Sequence, residues 1–215
     1  MQNSENKDGM LQFMHIIEKL KTTKRAGWVR EEAKQPESIA DHMYRMAMLA
    51  MMSQDDPALD VPKCVMLAIV HDLAEAEVGD ITPLDGISRE EKHRREEQAM
   101  KRFTHELLPA GSVAGKRIWD LWQEYEQGET REAKFVKDID RFELALQGVE
   151  YEKSGVSVQV SFSISNIGAS RLIFNVSLLG DNLEKLQPFF DTTIPHITHP
   201  EVKMWANKLY VILFY

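Results

Sequence analysis

The 215-residue sequence predicts an all-α fold, a single helical bundle, on three observations. Apolar residues recur three and four apart along most of the chain, the spacing of one helix face. Capping residues and prolines divide that pattern into helix-sized pieces. One stretch, Ser154 to Gly180, breaks it with a period of two, so the bundle is expected to carry an inserted β-hairpin at about 154–180.

The first helix follows Leu11, Met14, Ile17 and Leu20 and stops at the basic run Lys21 to Arg25. Met1 to Gly9 is polar and lacks the apolar core of a signal peptide, so residues 1–9 are expected to be disordered and 10–215 to form one domain. A loop with Gly27, Trp28 and Pro36 leads to a helix capped by Ser38, carrying Met43, Met46, Ala47 and Ala50 inward. Pro62 suits the first position of a third helix, which should run through His71-Asp72 and end at Gly79. Ser88 and Glu91 read as a capping box for a charged fourth helix to about Leu108, its run from Lys92 to Glu97 a solvated face. A fifth helix, about Ser112 to Gln127, packs Trp119 and Trp122; a sixth, about Thr130 to Lys153, packs Phe135, Ile139, Phe142 and Leu146. In 154–180, Val156 to Ile164 alternates with polar residues, Asn166 to Ser170 would turn, and Leu172 to Leu179 would return. The stretch reads equally as a lineage-specific hairpin or as a translated intron. Pro200 starts the last helix.

With 43% hydrophobic and 28% charged residues, the chain has a globular composition. Its 26 basic and 34 acidic residues leave a net charge of -8, which argues against binding a nucleic-acid polymer but permits a small phosphorylated ligand. A single cysteine, Cys64, excludes an internal disulfide and reads as a buried small hydrophobe in a reducing compartment. No apolar run approaches the ~20 residues of a membrane span, so cytosol, or cytosol and nucleus, is expected.

Histidine and carboxylate ligands suit a divalent transition metal. His42, His71, Asp72 and Asp140 lie in helices otherwise rich in core residues, and a carboxylate such as Asp140 on an apolar stripe needs a cation or several donors to compensate it. Glu75, three residues after Asp72, falls on nearly the same helical face, where it could manage a proton beside a metal. Asp80, just past Gly79, is suited to orienting a substrate hydroxyl or aiding proton transfer. Thr82 reads as a phosphate or sugar contact or as an ordinary turn residue.

Four segments in order, Gly27-Trp28, Pro36 to His42, His71 to Asp80 and Phe135 to Asp140, resemble the HD-domain 5'-deoxynucleotidases. The resemblance covers about Leu11 to Lys153 and resumes near Gly180 to Lys208. It implies an HD-domain helical bundle and a hydrolase that removes the 5'-phosphate from deoxyribonucleoside monophosphates, as a homodimer. One divalent cation (Mn, Co, Fe, Zn or Mg) would be held by His42, His71, Asp72 and Asp140. Glu75 would be the catalytic carboxylate, Asp80 would join the substrate site, and Trp28 would lie against the sugar. Bacterial members carry arginine where this chain has Gly27, which leaves Arg25 or Arg30 to meet the phosphate. Two other readings stay open: an HD-domain hydrolase of another phosphomonoester or a phosphodiester, and a non-catalytic binding module.

Overall fold

A computed structural model describes residues 2–30, 33–54, 56–153, 160–163, 173–175 and 194–214. Its helices are α1 (Gln2–Ile17), α2 (Lys19–Thr22), α3 (Ala26–Arg30), α4 (Ile39–Met51), α5 (Val61–Val70), α6 (Glu75–Val78), α7 (Arg89–Lys101), α8 (Val113–Gln127), α9 (Arg131–Lys153) and α10 (Pro200–Phe214). A π-helical turn, Arg102–Leu107, extends α7, and single 3₁₀ turns lie at Pro83–Asp85 and Ile194–His196. None of the described helices is long and apolar enough to cross a membrane.

The centre is a trio in which α4 packs on α5 and both pack on α9. Ile39, Met46, Leu67 and Ile139 have no accessible surface there, and Phe135 is 1% exposed. Cys64 is fully buried beside them, as the sequence implies. Trp122 on α8 and Phe103 in the π-helical turn extend this core, and Gly115 lets α8 approach the turn so closely that a Cβ would meet the Thr104 carbonyl oxygen at 2.4 Å.

Start signals act locally. Ser38 and Asp41 form a reciprocal capping box at α4, and Asp60 caps α5 by accepting from the Lys63 amide. Pro62 is the second residue of α5, not its first, because Asp60 takes the cap. Ser88 caps α7, but the Glu91 carboxylate binds Arg94 and Arg95 instead of reaching back, since two guanidinium groups outcompete one amide.

Two expectations fail at helix ends. The chain is helical from Gln2, where Met1 to Gly9 was expected to be disordered. The reason is tertiary: Gly9 lies so near the π-helical turn that a Cβ would stand 2.4 Å from the Leu107 carbonyl oxygen, so this turn of α1 is docked. The third helix does not run to Gly79 either. α5 stops at Val70, because the His71 Nδ1–H donates to the Ala68 carbonyl at 2.9 Å, the acceptor that the Asp72 amide would use in a continuing α-helix. The chain then tightens into three-residue turns, with Glu75 N donating to Asp72 O at 3.0 Å and Ala76 N to Leu73 O at 3.2 Å, before α6 forms. Gly79 ends α6 with φ 76°, which glycine adopts without strain.

In the low-charge stretch, Val160–Ser163 pairs antiparallel with Ile173–Asn175. The turn expected at Asn166 to Ser170 and the remainder of 154–180 lie outside the described residues. The C-terminal helix is positioned by a non-local cap. Asp138, 1% exposed on α9, accepts from Thr198 N at 2.7 Å, Thr198 Oγ1 at 2.8 Å and His199 N at 2.8 Å, immediately before Pro200. Asp138→Ala should therefore lower unfolding free energy by about 3 kcal/mol in urea melts, since those donors lose a buried charged acceptor. A change below about 0.5 kcal/mol would contradict this account of the cap.

Candidate metal centre and active site

The capping box that starts α4 places His42 one turn into the helix, where its side chain is fully buried. Its Nδ1 stands 2.6 Å from Oε2 of Glu143 on α9, a side chain likewise without accessible surface. Nε2 is thereby turned to the opposite side, 3.2 Å from Asp140 Oδ1 and 3.9 Å from Asp72 Oδ2. His71 arrives from the end of α5. Because its Nδ1–H is given to the Ala68 carbonyl, its Nε2 is turned to the other side, 3.1 Å from the same Asp72 Oδ2. Both Nε2 atoms are buried without a hydrogen-bond partner, although carboxylates stand close by.

This arrangement passes a simple test for a cation. Donor atoms that share one metal at ~2.1 Å stand roughly 3–3.5 Å apart. Of the separations among His71, His42, Asp140 and Asp72, 3.1 and 3.2 Å fall in that range and 3.9 Å lies just above it. Ligand atoms of His42, His71 and Asp72 lie within 4.8 Å of one another, and orphaned imidazole nitrogens beside partly buried carboxylates suit a shared cation. His42, Glu37 and Glu143 also fall within that limit, but there His42 would use the Nδ1 already committed to Glu143.

Electrostatics fit the same reading. Desolvation and Arg25 oppose the His42 imidazolium, but Asp140 and Glu143 outweigh them and push its pKa up to about 9. Burial would raise Asp72, yet His71, Arg25 and His42 hold it well below the usual carboxylate range. Asp140 is held low against its own burial by His42 and His71, and it accepts a hydrogen bond from Tyr125 Oη at 3.0 Å.

Glu75 is 3% exposed at the start of α6, with Oε2 buried and unpartnered. In three-residue turns positions i and i+3 eclipse, so the break after α5 aligns Glu75 with Asp72 more closely than a continuous α-helix would. Burial, then Asp72 and Asp80, push its carboxyl well above the ordinary value. Asp80 uses Oδ2 to accept from Ala26 N at 2.7 Å, at the N-terminus of α3. Thr82 caps the Pro83–Asp85 turn and binds the Arg30 guanidinium, which also pairs with Asp85.

Trp28 is in the core. It is 5% exposed, its indole N–H donates to Glu37 Oε1 at 2.9 Å, and its ring meets Tyr151 edge-on at 5.2 Å. At Gly27 nothing lies within 4 Å of where a Cβ would stand. The two arginines considered for the phosphate separate clearly. Arg25 Nη1 pairs with Asp72 Oδ2 at 3.0 Å, whereas Arg30 is engaged at the Thr82–Asp85 turn.

Sequence reading missed Glu143, Tyr125 and Lys92. Glu143 had a usable signal: a charged residue three positions after Asp140, between the apolar Phe142 and Leu144. Lys92 corrects an expectation, since the run from Lys92 to Glu97 is not uniformly solvated. Lys92 Nζ donates to the Ile81 carbonyl at 3.0 Å, and Glu96 is 9% exposed. Burial, only partly offset by Lys92, pushes Glu96 up to about 7.

A surface hollow of about 830 Å³ beside Glu37, Arg45 and Tyr151 contains none of the four proposed ligands. Donor chemistry, not volume, marks the candidate centre.

A helical bundle that brings a histidine of one helix, a His-Asp pair of the next and an aspartate of a third to one point defines a class. The HD domain family model matches residues 17–173, and the chain belongs to the HD-domain family. Within it, the chain is 42% identical over 200 residues to 5'-deoxynucleotidase HDDC2 of Homo sapiens, covering 93% of this chain and 84% of that one. It is 47% identical over 152 residues to 5'-deoxynucleotidase hdd1 of Schizosaccharomyces pombe, covering 70% and 76%. Among solved structures it is similar to HD domain-containing protein YGK1 (YGL101W), with a TM-score of 0.63 and 29% identity over 96% of this chain and 86% of that one.

Proposed function

We propose that this HD-domain chain is a metal-dependent 5'-deoxynucleotidase that releases phosphate from deoxyribonucleoside monophosphates. The observation that carries the reading is the meeting of two unpartnered imidazole Nε2 atoms with Asp72 and Asp140, beside the orphaned carboxyl oxygen of Glu75. Relatives named 5'-deoxynucleotidase, 41% to 47% identical, support the substrate class.

His42, His71, Asp72 and Asp140 would hold one divalent cation, for which Mn, Co, Fe, Zn and Mg are candidates. When bound, it polarises a water and draws charge from a phosphoryl oxygen. Hydrolysis bonds the water oxygen to phosphorus and breaks the bond from phosphorus to the 5'-oxygen, which must then take up a proton. Glu75, buried three residues after Asp72, is suited to deliver that proton, and the proton lost by the attacking water restores its carboxyl. Arg25, beside Asp72, is suited to meet the phosphate charge where other members use an arginine at position 27. Asp80 would orient the sugar side, Thr82 would contribute a contact from the adjacent turn, and Trp28 would shape that wall from within the core. Homodimer assembly belongs to the same proposal, and the mass in solution tests it.

The experiment is a metal-by-substrate matrix. Protein stripped by a chelator should lose phosphate release from deoxynucleoside monophosphates by at least about a hundredfold and regain it with one of the candidate cations. Unchanged release after stripping would sink the metal mechanism. Equal turnover of ribonucleotides or of unrelated phosphomonoesters would favour the broader hydrolase reading.

A further inference from the structure

A charged residue of α7, outside every motif that identified the site, reaches the proposed proton carrier. The Lys92 ammonium lies 3.8 Å from Glu75 Oε1, 3.4 Å from Glu96 Oε1 and 3.0 Å from the Ile81 carbonyl oxygen, to which it donates. Its side chain is one-third exposed, whereas that of Glu75 is 3% exposed, so the cation sits at the mouth of the site and the carboxyl behind it.

Each contact fixes something the chemistry needs. Packing of α6 on α7 brings Lys92 opposite Glu75. The segment after Gly79 links the four-residue α6 to the 3₁₀ turn at Pro83–Asp85. Lys92 holds that segment at Ile81, one residue after Asp80, and Asp80 in turn receives the Ala26 amide. A single ammonium thus ties the Asp80 segment of the site to the Glu75 carboxyl. Burial opposes the charge on Lys92, but the carboxylates that face it, Glu96 on its own helix and Glu75, Asp72 and Asp80 across the gap, outweigh that and raise its pKa. Arg25 faces the same Asp72, Glu75 and Asp80 group, so two cations bracket one carboxylate cluster.

We propose that Lys92 is a positioning residue for the reaction, one that sets the orientation of Glu75 and the placement of the Asp80 segment. The inference rests on the deoxynucleotidase reading and on Glu75 as its proton carrier. Removing the ammonium leaves the metal ligands untouched but lets Glu75 and Ile81 drift, and a displacement near 1 Å at a reacting group lowers turnover by up to about a hundredfold.

The test compares wild-type protein with Lys92→Met, which keeps the aliphatic stem, and Lys92→Arg, which restores the charge. For Lys92→Met, kcat should fall by about ten- to a hundredfold with KM changed less than about threefold. Manganese affinity by calorimetry should match the wild type, hydrogen exchange at amides 79–82 should rise, and Lys92→Arg should recover most of kcat. Wild-type kcat in Lys92→Met would overturn the inference, as would a rise in KM at constant kcat, which would make Lys92 a phosphate ligand. Loss of manganese affinity together with kcat would reduce Lys92 to a structural role and overturn it too. A wild-type protein without chelator-sensitive activity would instead overturn the deoxynucleotidase reading, and this inference with it.

Discussion

Glu75→Gln is expected to lower kcat by about 10²- to 10⁴-fold while metal content stays at the wild-type level. The amide keeps the size and the acceptor oxygen of the carboxyl but has no proton to move. The substitution leaves the proposed ligands His42, His71, Asp72 and Asp140 unchanged. The same variant should be more stable than the wild type in the metal-free state. Burial and the Asp72 and Asp80 charges raise the folded pKa of Glu75 above its unfolded value. A carboxyl shifted that way destabilises the fold as pH rises through the unfolded pKa, because the unfolded chain ionises more readily. Glutamine does not ionise, so the gain in melting temperature should be present at neutral pH and absent well below pH 4. Thermal melts at both pH values check the sign. A kcat within tenfold of wild type would remove Glu75 from the proton-transfer role.

That the proposed proton carrier is also a buried carboxyl with an unpartnered oxygen explains why the sequence exposed some of this site and hid the rest. His71-Asp72 and Glu75 were legible because their spacing puts polar groups on an apolar face, a local inconsistency that stands out. Their geometry was not, since a continuous helix from Pro62 to Gly79 fits the same pattern. The break after Val70 depends on which donor wins the Ala68 carbonyl, and only the folded position of the His71 ring decides that. Caps written in adjacent residues, Ser38 before α4 and Ser88 before α7, were readable. The cap of α10 was not, because Asp138 supplies it across 60 or more residues of sequence. Docking of α1 was hidden for a related reason: a polar N-terminal segment has no apolar period to report, and Gly9 acts through what it lacks. Lys92 shows the limit of composition most clearly. A run of alternating charges reads as solvated, yet within it Lys92 points at the Ile81 carbonyl and Glu96 is nearly buried, while Arg94 and Arg95 simply pair with Glu91 on the surface.

Glu143→Ala should weaken metal binding by about 10- to 100-fold although Glu143 makes no contact with the proposed cation position. Its carboxylate holds His42 Nδ1 at 2.6 Å, and its other oxygen takes the Arg45 Nε at 2.7 Å, so a fully buried acid fixes both the ring and the tautomer that turns Nε2 toward Asp140. Arg45 is anchored in turn by Glu150 at 2.6 Å and by Gln147, which leaves the pair little freedom. Deleting the acid strands a buried imidazole N–H and a partly buried guanidinium, so apoprotein stability should also fall, by about 3–5 kcal/mol. Glu143→Gln separates the two effects. The amide oxygen still accepts from Nδ1–H and keeps the ring in place, so most of the stability should return. The charge that strengthens His42 as a ligand does not, so metal affinity should stay below wild type. Calorimetric metal titration and urea melts on the two variants measure this. Equal metal affinity in the wild type and Glu143→Ala would show that ring orientation is set by packing against His71 and α9 alone, and that the buried acid serves the fold instead of the site.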